Sequence, residues 1–378
     1  MTVSAQRRPR WEHYLNFKGP EFDSFWEDYL REGNRDVLFI IGLGFDPRMC
    51  TGIKTILNAG GSGKRECLLV EFDEGAHSPS KKYKDRVNEN RLTLEALLND
   101  KGRLQSVTIP MWSDDGRRIG ARRASEIVDG NSILSSYTDV IVDISALPRS
   151  IYFPLLAKLL YEIDNLQDCD RKVNLHVTVA EDVGTDKMIQ EEGIDETATY
   201  LHGFSSALER EATAGIPIVW IPVLGEGKEI QLVRIYDHVK PDEICPVLPS
   251  PSRNPRRGDD LLLEYQELLF DRLRVEPQNI IYSCEHNPFE TYRQIYRTIQ
   301  RYDSALQPLR GCKIVISAIS SKLLSIGALL AAYEAKKADY MVGIAHIESH
   351  GYVIKEDKLP KGNEELFSLW LAGECYDE

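Results

Sequence analysis

The same short segment, an apolar strand that ends in Ile-Ser-Ala and runs directly into an apolar helix, occurs twice in this chain. Its first copy reads ISALPRS at Ile144–Ser150, and its second copy reads ISAISSK at Ile316–Lys322. The two copies stay in register as far as Glu162 and Glu334, which unrelated segments rarely do. The chain is therefore predicted to contain an internal duplication of an α/β unit.

Apolar strands alternate with amphipathic helices along most of the chain. Strands such as Val37–Ile41 are apolar on both faces, as expected of a parallel sheet that is covered by helices on both sides. The pattern predicts an α/β fold with two tandem Rossmann-like units and mainly parallel sheets. The predicted divisions are an N-terminal helical segment 1–35, a first unit 36–185, a crossing segment 186–216, a second unit 217–350 and a C-terminal tail 351–378 that packs on a surface.

Two segments depart from this alternation. Aromatic residues at helical spacing in Glu21–Glu32 predict an amphipathic helix ahead of the first strand. The segment Pro246–Gly258 is rich in proline and arginine, and it is predicted to lack regular structure because proline removes backbone donors. A loop of this length is expected to be functional or mobile.

Composition excludes several classes of protein. A net charge of -13 and a pI near 5.2 argue against a protein that binds duplex nucleic acid, because phosphate contacts need clustered Lys and Arg. Seven cysteines without a CxxC pair indicate neither a disulfide framework nor a zinc site. No apolar run is long enough to cross a bilayer. The sequence predicts a cytoplasmic protein without a membrane partner.

Two loops of the first unit are candidate ligand sites. The first strand ends in Gly42-Leu43-Gly44 ahead of a helix, and glycine lets the backbone approach a ligand while the helix N-terminus offers free N–H donors. The alternative is a tight turn in which Asp46 caps the helix, since the third glycine of a dinucleotide fingerprint is missing. The second loop is the first Ile-Ser-Ala corner. Together the candidate residues are Gly42, Gly44, Asp46, Arg48, Asp143, Ser145, Arg149 and Ser150.

The second unit repeats both features. Its first strand closes in Gly225-Glu226-Gly227, and its Ile-Ser-Ala corner ends in Lys322. We expect Lys322 and Arg149 to neutralise phosphate if these corners bind a ligand. The alternatives are tight turns at both corners and a simple helix cap at Asn287. The candidate residues are Gly225, Gly227, Asn287, Ser317, Ser320, Ser321 and Lys322.

Catalytic and metal motifs are weak in this sequence. Asn58–Arg65 is not a phosphate loop, because Arg65 replaces the magnesium-binding hydroxyl and the segment leads from a helix into a strand. His346 and His350 are not predicted to bind a metal, since they lie in strand and loop. There is no nucleophile elbow. If the chain is an enzyme, Asp46 and Asp143 are its candidate catalytic residues.

The second unit resembles the Rossmann-like sensor domains associated with CRISPR systems, the CARF domains. The resemblance lies in Asn287-Pro288-Phe289 at the start of a helix, and in the strand, small-residue turn, lysine and small-residue helix of Ile316–Ala332. The turn has Ile319 and Ser320 where those families commonly carry a glycine pair. The resemblance implies a sensor of a nucleotide or oligonucleotide second messenger, often within an antiviral defence system. Because no effector domain is evident, it also implies output through a partner chain or from the fold itself, and a protein partner or a homodimer is expected.

Three functions remain open at this stage. The leading hypothesis is a nucleotide-binding sensor or regulatory protein that uses no other cofactor. The first alternative is an enzyme that hydrolyses or transfers a nucleotide-type metabolite. The second alternative is a scaffold subunit, in which the aromatic N-terminal helix and the segment Pro246–Gly258 contact another protein.

Overall fold

The structure is a computed structural model of the 378-residue chain. It describes residues 9–75, 77–128, 134–166, 172–205, 208, 213, 215–355 and 363–376. Contacts within the chain divide it into two compact units. The first unit comprises Tyr14–Ile194 and the chain from Ser349 onward, and the second comprises Asp195–Glu348 and the N-terminal residues up to His13.

Ten α-helices are named here among the described residues. In chain order they are α1 Pro20–Arg31, α2 Thr51–Ala59, α3 Lys84–Leu98, α4 Gly120–Glu126, α5 Arg149–Asp164, α6 Val183–Met188, α7 Glu229–Val239, α8 Arg257–Glu264, α9 Pro288–Ala305 and α10 Lys322–Lys337. Short 3-10 helices precede α2 and α3, at Pro47–Cys50 and Pro79–Tyr83, and a π-helix Glu267–Arg272 follows α8.

Strands of the described residues form two large sheets and one two-stranded sheet. In chain order they are β1 Leu15–Lys18, β2 Val37–Gly42, β3 Arg65–Asp73, β4 Arg103–Pro110, β5 Asp139–Asp143, β6 Asn174–Glu181, β7 Ile189–Glu191, β8 Thr199–Tyr200, β9 Ile218–Val223, β10 Glu243–Ile244, β11 Val247–Pro249, β12 Ile281–Ser283, β13 Lys313–Ala318, β14 Val342–His346, β15 Tyr352–Ile354 and β16 Glu365–Ala372.

The large sheets of the two units share one topology. The first sheet has the order β1-β16-β6-β5-β2-β3-β4, in which β2 to β6 are parallel and β16 is antiparallel to both of its neighbours, β6 and β1. The second has the order β12-β11-β9-β13-β14-β8, in which only β8 is antiparallel, and β10 also pairs with β9. If β10 and β11, which both pair with β9, are counted as one strand position and the parallel strands of each unit are numbered in chain order, both sheets read 3-2-1-4-5, a Rossmann order. The predicted α/β class with two tandem Rossmann-like units and mainly parallel sheets is confirmed.

Helix α1 packs into the core of the first unit. Its aromatic residues Phe22, Trp26 and Tyr29 are buried together with apolar residues of β2 and α2. Pro20 begins the helix, where its missing N–H costs no hydrogen bond. The amphipathic pattern therefore places the aromatic stripe inside the unit, as its spacing predicts.

Two segments fold differently from their prediction. The C-terminal tail does not simply cover a surface, because its strand β16 lies inside the first sheet between β1 and β6. The proline-rich segment contains the buried strand β11, and α8 begins at Arg257. Proline is tolerated in β11 because Pro249 is its last residue, and the next N–H, that of Ser250, donates to the carbonyl of Ser283.

Within the described part of the chain, no helix has the length and apolarity that a membrane span requires.

Candidate functional site

The loops after the first and fourth parallel strands of the second unit touch each other. These strands, β9 and β13, are neighbours, and their next parallel strands, β11 and β14, lie on opposite sides of the pair, so right-handed crossovers carry the chain to opposite faces of the sheet. A Cβ placed on Gly225 would lie 2.5 Å from the Ile319 carbonyl oxygen and 2.9 Å from Ser320 Cα. The Ile319 N–H also donates to the Val223 carbonyl. Gly225 and the Ile-Ser-Ala corner therefore meet at the topological switch point, where open α/β sheets bind ligands.

The first unit brings the equivalent loops together. These loops follow β2 and β5, which are also neighbours. A Cβ on Gly42 would lie 2.5 Å from Leu147 Cδ2, and a Cβ on Gly44 would lie 3.2 Å from Ala146 Cβ. The switch point of the first unit is thus lined by the apolar side chains of its corner.

Asp46 and Arg48 form a buried ion pair. Asp46 caps the 3-10 helix by accepting the Arg48 N–H, as the tight-turn alternative predicts. The Arg48 guanidinium also contacts Asp46 through Nε and Nη2, and its Nη2 lies 2.8 Å from Asp186 Oδ1. Burial would lower the pKa of Arg48, but the charges of Asp46 and Asp186 outweigh it and raise that pKa. The charge of Arg48 is therefore balanced by this chain's own carboxylates.

Asp143 is buried at the carboxyl end of β5. Its Oδ1 accepts the Ser145 N–H at 2.8 Å, and its Oδ2 accepts the Thr178 hydroxyl at 3.0 Å. A Cβ on Gly52 would lie 2.8 Å from Asp143 Oδ2, so the carboxylate lies against the first turn of α2. The Ser145 hydroxyl accepts the Ala180 N–H at 2.9 Å. This network joins β5, β6 and α2, and it stabilises a carboxylate at a positive helix end.

The thiol of Cys50 lies near this carboxylate. Burial, and secondarily the charge of Asp143, raise the pKa of Cys50 to about 12. A thiol with so high a pKa is a poor nucleophile at neutral pH.

Arg149 and Ser150 begin helix α5. Arg149 is partly buried, and Ser150 is almost fully buried with no hydrogen-bond partner for its Oγ among the described residues. Ser150 is therefore buried in the first turn of α5, while Arg149 is the more accessible of the two.

The serines of the second corner have distinct contacts. The Ser317 hydroxyl accepts the Trp220 indole N–H at 3.0 Å inside the core. Ser321 caps α10 by accepting the Leu324 N–H at 3.4 Å, and the buried Ser320 packs against Gly225. Lys322 is the first residue of α10 and is partly exposed. Lys322 and the first turn of α10 are thus the parts of this corner best placed for a ligand.

Asn287 is a helix cap, as its alternative interpretation predicts. Its side chain accepts the N–H groups of Phe289 and Glu290 at the start of α9. That helix end lies beside α10, since a Cβ on Gly327 would be 2.4 Å from the Pro288 carbonyl. Asn287 is therefore close to the second turn of α10.

The glycine loop of the second unit is held by the end of α8. The Tyr265 hydroxyl donates to the Gly225 carbonyl at 2.6 Å and accepts the Lys228 N–H at 2.8 Å. The Gly227 N–H donates to Glu264 at 2.7 Å, and Gly227 has a φ of 68°, which favours glycine. These contacts fix the backbone of the loop, and the side chain of Glu226 contacts Arg257.

Sequence reasoning missed the residues that partner these loops, above all Arg257 and Glu285. Arg257 contacts Glu226 and Glu285, which lie on the loops after the first and third parallel strands. A signal for Glu285 existed, because it is a charged residue two positions after the end of strand β12. Arg257 lies near the end of the proline-rich segment, and its neighbours in the sequence do not indicate that it contacts Glu226 and Glu285.

No group of three or more His, Cys, Asp or Glu side chains that could hold a metal ion occurs within the described ranges.

The chain is thus an α/β protein of two Rossmann-like units. In each unit the two loops at the topological switch point contact each other. No protein-family model matches the chain, and no curated protein matches it. Among solved structures, the chain is similar to an uncharacterized protein from Mycobacterium paratuberculosis at 8% sequence identity. That match covers 86% of this chain and 89% of the other, with a TM-score of 0.22, too low to support an argument about function.

Proposed function

We propose that this protein is a nucleotide- or second-messenger-binding sensor whose ligand binds at the switch point of the second unit. The observation that carries the proposal is the backbone contact between Gly225 and Ile319, which places a glycine loop beside the N-terminus of α10. Free N–H groups and a helix dipole at such a point favour an anionic group, and Lys322 adds a positive charge.

The second unit is a better anion site than the first. In the first unit Leu147 covers Gly42, Arg48 is neutralised, and the buried Asp143 carboxylate would repel a phosphate. At the equivalent position to Asp143, the second unit has the apolar Val315. We infer that the two units arose by duplication, since they share a strand order, and that the second retained the ligand site.

The two alternative functions have less support. Both candidate catalytic residues, Asp46 and Asp143, are engaged in structural hydrogen bonds. The aromatic face of α1, which the scaffold hypothesis assigns to a partner, is buried within its own unit. A role in antiviral defence rests on the family resemblance alone and is part of the proposal.

Isothermal titration of the full chain with nucleotides and cyclic oligonucleotides tests the proposal. We expect one of these ligands to bind, and Lys322→Ala to weaken its binding about tenfold or more, because a charge-assisted hydrogen bond contributes about 1.5–3 kcal/mol. The matched control is Lys337→Ala, which removes an exposed lysine at the other end of α10.

Absence of binding by every ligand in the panel would refute the proposal. If the wild type and Lys322→Ala bind the ligand with equal affinity, α10 is not part of the ligand site. The variant Arg149→Ala reports on the first unit, and we expect it to bind the ligand as the wild type does.

A further inference from the structure

Three loops at the carboxyl edge of the second sheet meet at the guanidinium of Arg257. Its Nε and Nη2 donate to the two carboxylate oxygens of Glu226 at 2.6 and 2.8 Å, in a bidentate contact. Its Nη1 donates to Glu285. Glu226 follows β9, Arg257 follows β11 and Glu285 follows β12, so one side chain joins the loops after the first three parallel strands.

The contact with Glu285 is a fixed anchor. The Glu285 side chain is 7% exposed, and its Oε2 accepts the Arg253 N–H at 2.9 Å. The Glu285 N–H donates to the Pro251 carbonyl at 3.0 Å, and His286 Nε2 lies 3.6 Å from Oε2. The proline-rich loop therefore holds Glu285, and Glu285 holds one side of the guanidinium.

The contact of Arg257 with Glu226 is easier to break than its contact with Glu285. The Glu226 side chain is 55% exposed and stands between two glycines, Gly225 and Gly227. Exposed ion pairs are weak because water and salt screen them. Because the backbone of the loop is held by Tyr265 and Glu264, Glu226 leaves the guanidinium by rotation of its own exposed side chain into solvent.

The Nε/Nη2 edge of Arg257 favours an anion. Burial would lower its pKa, but the contacts with Glu226 and Glu285 raise it, so the guanidinium is charged at all physiological pH values. Its side chain is 17% exposed, and a buried charge without a counter-charge is costly. The Nε/Nη2 edge of a guanidinium matches a phosphate as well as it matches a carboxylate.

We propose that Arg257 binds a phosphate group of the ligand through its Nε/Nη2 edge, and that Glu226 occupies this edge as an internal competitor until the ligand displaces it. The inference rests on the proposed function and names a phosphate-binding residue for the same switch point. Lys228, Arg253 and Arg256 on the same loops favour an anion, while Glu264 opposes it. The function of the proline-rich segment is then to position Arg257 for phosphate binding.

Titration of the full chain with inorganic pyrophosphate at fixed ionic strength tests this proposal. Glu226→Gln removes the competing charge and leaves the anchor between Arg257 and Glu285 intact. We expect it to bind pyrophosphate about fivefold more tightly than the wild type does, since an exposed ion pair no longer has to be broken. Adding Arg257→Gln to Glu226→Gln should abolish this binding.

The matched control is Glu229→Gln, which removes the same charge from an exposed position three residues further along the chain. An equal gain in Glu229→Gln would overturn the proposal, because net charge would then explain the effect. A Glu226→Gln variant that keeps its thermal midpoint but binds pyrophosphate no better than the wild type would overturn it as well. Nucleotide binding that depends on Lys322 but not on Glu226 would remove this inference and leave the proposed function standing.

Discussion

The imidazole of His176 is fully buried in the first unit among aromatic rings. Rings of Phe25, Trp26, Tyr29 and Trp370 lie within 6.0 Å of it, centroid to centroid. Its Nε2 lies 3.7 Å from Asp139 Oδ1, and Tyr29 donates a hydrogen bond to the same oxygen at 2.5 Å. Burial lowers the pKa of His176, with the nearby Asp139 opposing that shift. The folded protein therefore favours the neutral imidazole.

This burial predicts a loss of stability in mild acid. A histidine whose folded pKa lies below its unfolded value, about 6.5, takes up a proton on unfolding, so stability falls as pH drops below that value. We expect the unfolding free energy to decrease between pH 7.5 and 5.5, by up to about 1.4 kcal/mol for each pH unit. Urea denaturation across this range measures it, and His176→Phe should flatten the dependence.

The control for this prediction is His238→Gln, which changes an exposed histidine of the second unit. Asp139 does not account for the predicted loss of stability between pH 7.5 and 5.5. Burial would raise its pKa, but contacts with His176, Thr138 and Tyr29 lower that pKa, so its stabilising effect is lost only at a more acid pH. A dependence that is unchanged in His176→Phe would contradict the assignment.

At the scale of single residues, local chemistry was predictable and distant partners were not. The capping roles of Asp46 and Asn287 follow from their positions ahead of proline at a helix start. The partner Asp186 of Arg48 comes from a helix far along the chain, and nothing near Arg48 in the sequence indicates it. Whether a charged residue at a strand end is free for a ligand depends on such partners.

At the scale of elements, the close crossing of α9 and α10 depends on one glycine. A Cβ on Gly327 would lie 2.4 Å from the Pro288 carbonyl oxygen and 2.5 Å from Thr291 Cβ. The obstruction is backbone, which cannot rotate away as a flexible side chain can. The small residues of α10 therefore let the two helices pack closely beside the candidate ligand site.

Gly327→Ala should destabilise the protein although alanine is the better helix former. Overpacking costs about 1–3 kcal/mol, and the gain in helix propensity returns about 1 kcal/mol. We expect a net loss of up to about 2 kcal/mol, measured by chemical denaturation. Gly33→Ala makes the same chemical change where nothing lies within 4 Å, and it should be near neutral. A stabilised Gly327→Ala variant would show that the helices are not in contact at this point.

Periodicity predicted the strands that alternate with helices and missed those that do not. All five parallel strands of the first sheet follow from that alternation, and the central strands β2 and β5 carry the buried apolar runs that parallel strands typically show. Strand β11 was missed because two prolines flank a core of only Val247-Leu248. Strands β1, β8 and β16 were missed because their antiparallel partners are remote in sequence.

At the scale of the whole molecule, the late strand β16 is part of the sheet of the first unit. Strand β16 pairs with β6 on one side and with β1 on the other. Its residues Phe367, Leu369 and Leu371 are fully buried, so the sheet of the first unit is incomplete without them. The second unit has its own core, in which helix α10 is apolar along most of its length.

Two matched substitutions should separate the cores of the units. Leu369→Ala in β16 and Leu329→Ala in α10 each remove the same buried side chain, at a cost of about 2–5 kcal/mol. We expect Leu369→Ala to reduce amide hydrogen-exchange protection in β1 and β6 while β9 and β13 keep theirs, because opening follows the cooperative unit that contains the cavity. Leu329→Ala should give the reverse pattern. Equal loss of protection in all four strands, from either substitution, would mean that the chain unfolds as one cooperative body and that the two Rossmann-like sheets do not define separate folding units.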